Sequence, residues 1–262
     1  MVDQLLISDE VIPPDASQLV TEDDTPVDNF ASEKQQRLLV SSLYSALPGQ
    51  TFLAAANVGI YHTANQPAIV PDVFVSFDVQ VPDNWWEKQH RCYLVWNFGK
   101  PPEIVIEIVS NSVGGELTEK YQIYEHMRAS YYVVYDPNQQ LSDRPLRIYE
   151  LRGRRYGELE EPWLDPVGLG LTLWQGTFEE RQDRWLRWCD RQGALLLTGD
   201  EQAGQERQRA EQERQRAERA EQIQRAAIAQ LLSMGMTLEQ VAETLGLSRQ
   251  DIESMTQPYT QI

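Results

Sequence analysis

The chain has 262 residues and a formal net charge of −17, with 23 Lys and Arg against 40 Asp and Glu; 41% of its residues are hydrophobic. That apolar share is enough to bury a core, which excludes disorder along the whole length. No apolar run approaches the roughly 20 residues of a membrane-spanning helix. The N-terminus MVDQLLISDEVIPP lacks a basic start and a long apolar stretch, so no secretory signal is expected there. Cys92 and Cys189 are too few and too far apart for a disulfide framework or a zinc site. A soluble cytoplasmic protein with no membrane partner is expected.

Taken whole, the charge argues against nucleic acid, which is bound through Lys and Arg contacts to phosphate. Its distribution weakens that argument. Residues 1–33 carry −9, residues 34–199 only −4, residues 200–225 −1 and residues 226–262 −3. Residues 1–28 read as an acidic lead-in outside any core. Arg144, Arg147, Arg152, Arg154 and Arg155 remain available to face a phosphate backbone.

Residues 29–47 have Phe30, Leu38, Leu39, Leu43 and Leu47 near helical spacing, with Ser32-Glu33 at the start and Pro48-Gly49 at the end. Residues 51–62 read as a strand, and IVPDVFVSFDV (69–79) as another, entered through Pro71-Asp72. Residues 80–102 form an insertion whose Trp85, Trp86 and Trp96 are expected to pack into the core, with base stacking as the sharper alternative. EIVIEIVS (103–110) reads as a central strand covered on both faces. A loop, a helix at 118–129, a strand at 130–137 and a hairpin at 146–159 follow.

Beyond the Trp-rich stretch at 174–188 the texture changes. QERQRAE occurs at 205–211 and again at 212–218, predicting a charged helix over 200–230. Its alanine stripe makes at most a weak coiled-coil seam, so a solvated spacer is the first expectation and a homodimer the second. Residues 231–262 hold a helix-turn-helix-like hairpin with Thr237 and Ser248 as N-caps and Gly246 at the turn. Its second helix has one base, Arg249, against Asp251 and Glu253, the wrong sign for phosphate contacts. A protein partner bound through residues 200–262 is therefore expected over DNA targeting.

The sharpest chemical signal is a set of three residues. A carboxylate inside an apolar strand needs a cation, hydrogen bonds or solvent, and Glu107 sits among Val105, Ile106, Ile108 and Val109. Asp72 opens a neighbouring strand. Two such carboxylates can converge on one hard cation with oxygen ligands, such as Mg²⁺ or Mn²⁺. Lys120, one of four lysines, lies thirteen residues past Glu107 with Tyr124 one turn on. A lysine beside such a pair can orient water or stabilise developing phosphate charge. Ser110-Asn111-Ser112 and Gly114-Gly115 lack a phosphate-loop pattern. His62, His90 and His126 share no metal spacing.

IVPDVFVS, EIVIEIVSNS and EKYQIYEHMRASYYVVYDP together resemble the Uma-two type of restriction endonuclease, within the PD-(D/E)xK nuclease superfamily, over about residues 29–175. The resemblance implies an α/β restriction-endonuclease-like core over 29–199: a helix, mainly antiparallel strands, a helix and a further strand. It implies DNA as substrate, Asp72 and Glu107 as metal ligands, and the Ile108 carbonyl as a third. It places Glu33 beside the metal and gives Lys120 the catalytic amine. A standard (D/E)xK spacing would put that lysine at 109, where this chain has Val109; the family carries it on the following helix. The alternative is a non-catalytic scaffold that keeps the nuclease fold and works through its C-terminal helices.

Overall fold

A computed structural model describes residues 29–63, 67–87, 90–112 and 115–256, so the acidic lead-in at 1–28 lies outside the described residues. The chain divides into two compact units, Met1–Gly199 and Asp200–Ile262. Among the described residues no helix is long and apolar enough to cross a membrane.

The first element among the described residues is helix α1, Phe30–Ala46. Its N-cap is Asn29, whose side chain accepts the N–H groups of Ala31 and Ser32 at 3.0 and 2.9 Å. The expected start at Ser32-Glu33 is therefore three residues late. Asn29 has the extended backbone that an N-cap needs, while Ser32 already lies inside the helix. The buried stripe of α1 comprises Ser32, Gln35, Gln36, Leu38, Leu39, Ser42 and Leu43, so polar side chains share the inward face with leucines.

The strand expected over 51–62 is two strands, β1 (Phe52–Ala56) and β2 (Ile60–Tyr61). Asn57 between them has φ of 54°, a left-handed conformation that breaks the extended run. Strand β3 (Val73–Phe77) follows. The 80–102 insertion carries β4 (Tyr93–Leu94), which pairs with β2 in parallel, and a one-turn helix α2 (Val95–Phe98). Its tryptophans are not core residues: Trp85, Trp86 and Trp96 are 55%, 77% and 51% exposed. Trp85 and Trp86 sit in a turn, and Trp96 lies on the single turn of α2.

Strand β5 (Ile104–Ile108), helix α3 (Glu119–Met127) and strand β6 (Tyr131–Tyr135) form one parallel β-α-β crossover. Strands β7 (Leu146–Arg152) and β8 (Arg155–Glu158) continue antiparallel from β6. The six-stranded sheet runs β1-β3-β5-β6-β7-β8, antiparallel except at β5–β6. A short strand β9 (Trp163–Leu164) then pairs with the hairpin of β10 (Leu169–Phe178) and β11 (Arg181–Cys189).

The central strands β3, β5 and β6 are buried on both faces. Ile104, Ile106 and Ile108 join Leu39 and Leu43 of α1 with Leu186 and Trp188 of β11 in one apolar cluster. Val105 and Val109 join Tyr124 and Met127 of α3 in the other. Alternation along β5 therefore aims Glu107 at α3. Gln35 ties α1 to β11, donating to the Leu186 carbonyl and accepting its N–H, both at 2.9 Å. The Trp188 indole N–H donates to the Leu39 carbonyl at 2.9 Å.

The second unit is carried by helix α4, Gly199–Ser233. The QERQRAE repeats are solvent-exposed throughout, and Arg214 pairs with Glu211 and Glu218, both at 2.9 Å. The expected hairpin forms, with its caps at Thr237 and Ser248 and its turn at Gly246, but it begins later than residue 231. Leu231 and Leu232 belong to the last turn of α4, because the helix runs on until Gly235, at φ 91°, turns the chain. Helices α5 (Leu238–Leu245) and α6 (Arg249–Thr256) pack on that end around Ile228, Val241, Ala242 and Ile252. Thr237 forms a capping box with Gln240, and Gly246 closes α5 at φ 65°. The Ser248 hydroxyl accepts the Asp251 N–H at 3.1 Å, which caps α6.

Candidate active site

The β5-α3-β6 crossover folds α3 back over the sheet, and its first turn meets the C-terminal end of β5. Glu107 is 1% exposed there. Its Oε2 accepts the Lys120 amine at 2.9 Å, and its Oε1 accepts the Tyr124 hydroxyl at 2.6 Å. Residues 120 and 124 stand one helical turn apart, so one stripe of α3 supplies both donors.

Asp72 lies just before β3, next to β5 in the sheet. The Ile108 N–H donates to its Oδ2 at 2.6 Å, and the Gln36 amide donates to its Oδ1 at 2.8 Å. Asn57 completes this side: its amide donates to Gln36 Oε1 at 3.0 Å, and its main-chain N–H donates to the Asp72 carbonyl at 3.2 Å. The left-handed Asn57 thus belongs to the frame around Asp72, a place where backbone strain is held by its neighbours.

Burial pushes Glu107 up to about 8; the Asp72 charge adds to this, while the Lys120 ammonium and the Tyr124 hydroxyl oppose it. Asp72 is raised too, by burial, against the pull of the Ile108 N–H, Lys120 and Gln36. Burial acts to lower Lys120, but the carboxylates of Glu107, Glu116 and Asp72 outweigh it and hold the amine charged. Burial and the Glu107 carboxylate keep Tyr124 protonated. The centre therefore carries more potential negative charge than one ammonium offsets, and Asp72 and Glu107 hold protons unusually tightly.

Asp72, Glu107 and Lys120 meet at this point. Glu33 does not join them: its half-exposed carboxylate pairs with Arg37 at 3.0 Å. Helical rotation turns position 33 outward and position 36 inward, so Gln36 is the α1 residue that reaches Asp72. Ile108 enters through its N–H, and with Ser110, Phe30, Lys34, Arg181 and Arg184 it lines an adjoining groove of about 620 Å³. Among the described residues no cluster of three His, Cys, Asp or Glu side chains is arranged for a metal. His126 sits apart, its Nδ1 against the Gln122 carbonyl. Cys92 and Cys189 are free thiols.

Three contributors escaped sequence reasoning. Gln36 and Asn57 carry no local signal, since only the packing of α1 on the sheet brings them to Asp72. Glu116, 5% exposed, lies 3.4 Å from the Lys120 amine. Its i,i+4 spacing from Lys120 was a readable signal.

A mixed α/β sheet with two carboxylates and a lysine gathered at the end of its central parallel pair defines an α/β protein with a buried acidic centre. The chain belongs to the Uma2 family, described as “Putative restriction endonuclease”, whose sequence model matches residues 21–173. That membership supports a nuclease. A solved structure described as a putative nuclease belonging to DUF820 from Anabaena variabilis ATCC 29413 is similar at 16% identity. It covers 53% of this chain and 72% of its own, with a TM-score of 0.34. No curated protein matches the sequence.

Proposed function

We propose that the protein is a metal-dependent endonuclease that hydrolyses phosphodiester bonds in DNA. The observation that carries this reading is the Lys120 amine, 2.9 Å from a Glu107 carboxylate that is 1% exposed. A buried carboxylate in a strand is costly, and pairing it with a lysine beside a second, partly buried carboxylate has a chemical use.

The donor set is all oxygen: the Asp72 and Glu107 carboxylates, with the Ile108 carbonyl as the third candidate. That suits Mg²⁺ or Mn²⁺, which accept few protein ligands and complete their shells with water and phosphate. The raised proton affinity of both carboxylates fits as well, because a nearby divalent cation would reverse it. Such a cation, when bound, polarises a phosphate oxygen and makes water a stronger nucleophile.

The chain's own groups do the rest. Asp72 is held in place by Gln36 and the Ile108 N–H, and Glu107 by Tyr124. Lys120 brings a permanent positive charge to the phosphate, where it offsets the charge that develops as the new P–O bond forms. The adjoining groove, with Lys34, Arg181 and Arg184 on its walls, is where we seat the flanking backbone, which would have to draw Lys34 from Glu179 and Arg181 from Asp183.

The test is cleavage of plasmid and linear DNA by the full-length protein in Mn²⁺. Wild type should nick and linearise the substrate, and Glu107→Ala should not. Equal products from the two would overturn the assignment.

We assign the second unit to a protein partner rather than to DNA. Arg249, the only base of α6, is already paired with Glu239 at 2.7 Å and Glu253 at 2.8 Å. Ile223 and Met234 stand 65% and 73% exposed. Exposed apolar side chains and an internally neutralised arginine suit a protein surface better than phosphate.

A further inference from the structure

Glu116 is the buried ionisable group near the centre to which the proposed chemistry gives no part. It is 5% exposed, and among the described residues its Oε2 has no hydrogen-bond partner. An unsatisfied buried carboxylate oxygen is rare and costly. Its Oε1 lies 3.4 Å from the Lys120 amine, at the outer limit of a hydrogen bond, while Glu107 holds the same amine at 2.9 Å.

Glu116 sits on a fixed base. Its carbonyl accepts the hydroxyl of the fully buried Tyr132 at 2.8 Å. The turn that carries it is closed by the Thr118 and Lys120 N–H groups donating to the Gly115 carbonyl at 3.0 and 3.1 Å. The lysine is the freer partner, its side chain 31% exposed against 7% for Glu116. An ammonium has three N–H groups, so the two carboxylates leave one for a substrate oxygen.

We propose that Glu116 is the positioning residue for Lys120: it receives the amine when a divalent cation draws on Glu107, and keeps it beside the reacting phosphate. This rests on the metal-dependent nuclease reading. Cation and ammonium compete for one carboxylate, and a second, preformed carboxylate on the other side of the amine relieves the competition. The short step from Glu107 toward Glu116 needs rotamer change in Lys120 alone, because the backbone of Glu116 is fixed and its carboxylate is buried. The unsatisfied Oε2 is the acceptor that this step would fill.

The experiment is a double-mutant cycle on the full-length protein, with Mn²⁺ alone as the probe in calorimetry. The variants are Glu116→Gln, Lys120→Met and the pair, with thermal melts to establish folding. Glu116→Gln should weaken Mn²⁺ binding roughly tenfold, the scale of losses when a group orienting a metal site is removed. In the Lys120→Met background the same change should cost no more than about twofold, since no amine remains to be moved. Equal losses in the two backgrounds, or none in either, would overturn the proposal.

In the DNA cleavage assay Glu116→Gln should lower kcat and leave KM unchanged; the reverse split counts against the proposal. Should Glu116→Gln not fold, Glu116→Asp keeps the charge but shortens the reach. It should then show the same loss of Mn²⁺ affinity, smaller in size and again only with Lys120 present. No Mn²⁺ binding by wild type would instead bring down the metal reading on which this proposal stands. Binding indifferent to Glu116 would bring down this proposal alone.

Discussion

The amine of Lys120 lies 2.9 Å from Oε2 of Glu107, although thirteen residues separate the two in sequence. Strand β5 and helix α3 meet there because β5 and β6 are parallel, which forces the chain between them to cross over the sheet. An antiparallel β5–β6 pair joined by a short turn would have left Glu107 facing no helix. The catalytic reading therefore hangs on the one parallel pairing in the six-stranded sheet.

Stability should fall with rising pH in the metal-free protein. Glu107 moves from an ordinary 4.5 to about 8 in the fold. The folded state then keeps a proton that the unfolded chain releases, so ΔG of unfolding declines as pH rises from about 4.5 toward 8. Lys120 does not oppose this, because it is raised above its ordinary 10.5 and stays charged across the window. The loss should be on the order of a few kcal/mol. Melting in EDTA across that range should show it, Glu107→Gln should reduce the slope to the part that Asp72 supplies, and Mn²⁺ should restore wild-type stability at the upper end.

Lys120→Met should separate binding from chemistry. With the ammonium gone, the cation no longer competes for Glu107, so Mn²⁺ affinity should hold or rise. Cleavage should fall by roughly a hundredfold or more, the usual loss when a charge-stabilising donor is removed. Single-turnover kinetics beside calorimetry would check both halves. Parallel losses of affinity and rate would mean that Lys120 supports the site instead of acting in it.

Gln36→Ala should reveal the frame around Asp72. Gln36 donates to Oδ1 at 2.8 Å and accepts from Asn57 at 3.0 Å. Its loss should lower Mn²⁺ affinity roughly tenfold, in the range seen when groups orienting a ligand are removed. Glu33→Ala, on the outer face of the same helix, should change neither affinity nor cleavage. A defect in Glu33→Ala as large as that in Gln36→Ala would reverse their order.

Gln35→Leu tests the junction of α1 with β11. Gln35 satisfies both main-chain groups of Leu186 at 2.9 Å, and leucine can satisfy neither. The cost should be roughly 1–3 kcal/mol, the penalty for a buried main-chain group left unpaired. Urea unfolding would show it as a lower midpoint at unchanged slope.

Local sequence determined a good deal here. Glu107 stood out because a carboxylate among four aliphatic residues has few uses, and that cost is independent of the fold. Pro48-Gly49 after the leucine stripe ended α1 where expected, and Thr237 and Gly246 bounded α5 through local backbone chemistry. The strand at 103–110 showed its double burial as an apolar run interrupted only by Glu107 between its ends. Such signals are short-range: they depend on periodicity, caps and the price of burying charge.

Tertiary structure alone decided who stands beside Asp72 and Glu107. Gln36 and Glu33 differ by three positions on one helix, and only the sheet beneath α1 makes one of them the inner residue. Asn57 looks like part of a strand until its left-handed backbone turns it toward Gln36. Glu116 carried a spacing signal, but its burial, and with it any chemical interest, came from Tyr132 and the crossover closing over it. These are long-range pairings, and the free energy that selects them comes from burying the two faces of the sheet together, which no local stretch of sequence encodes.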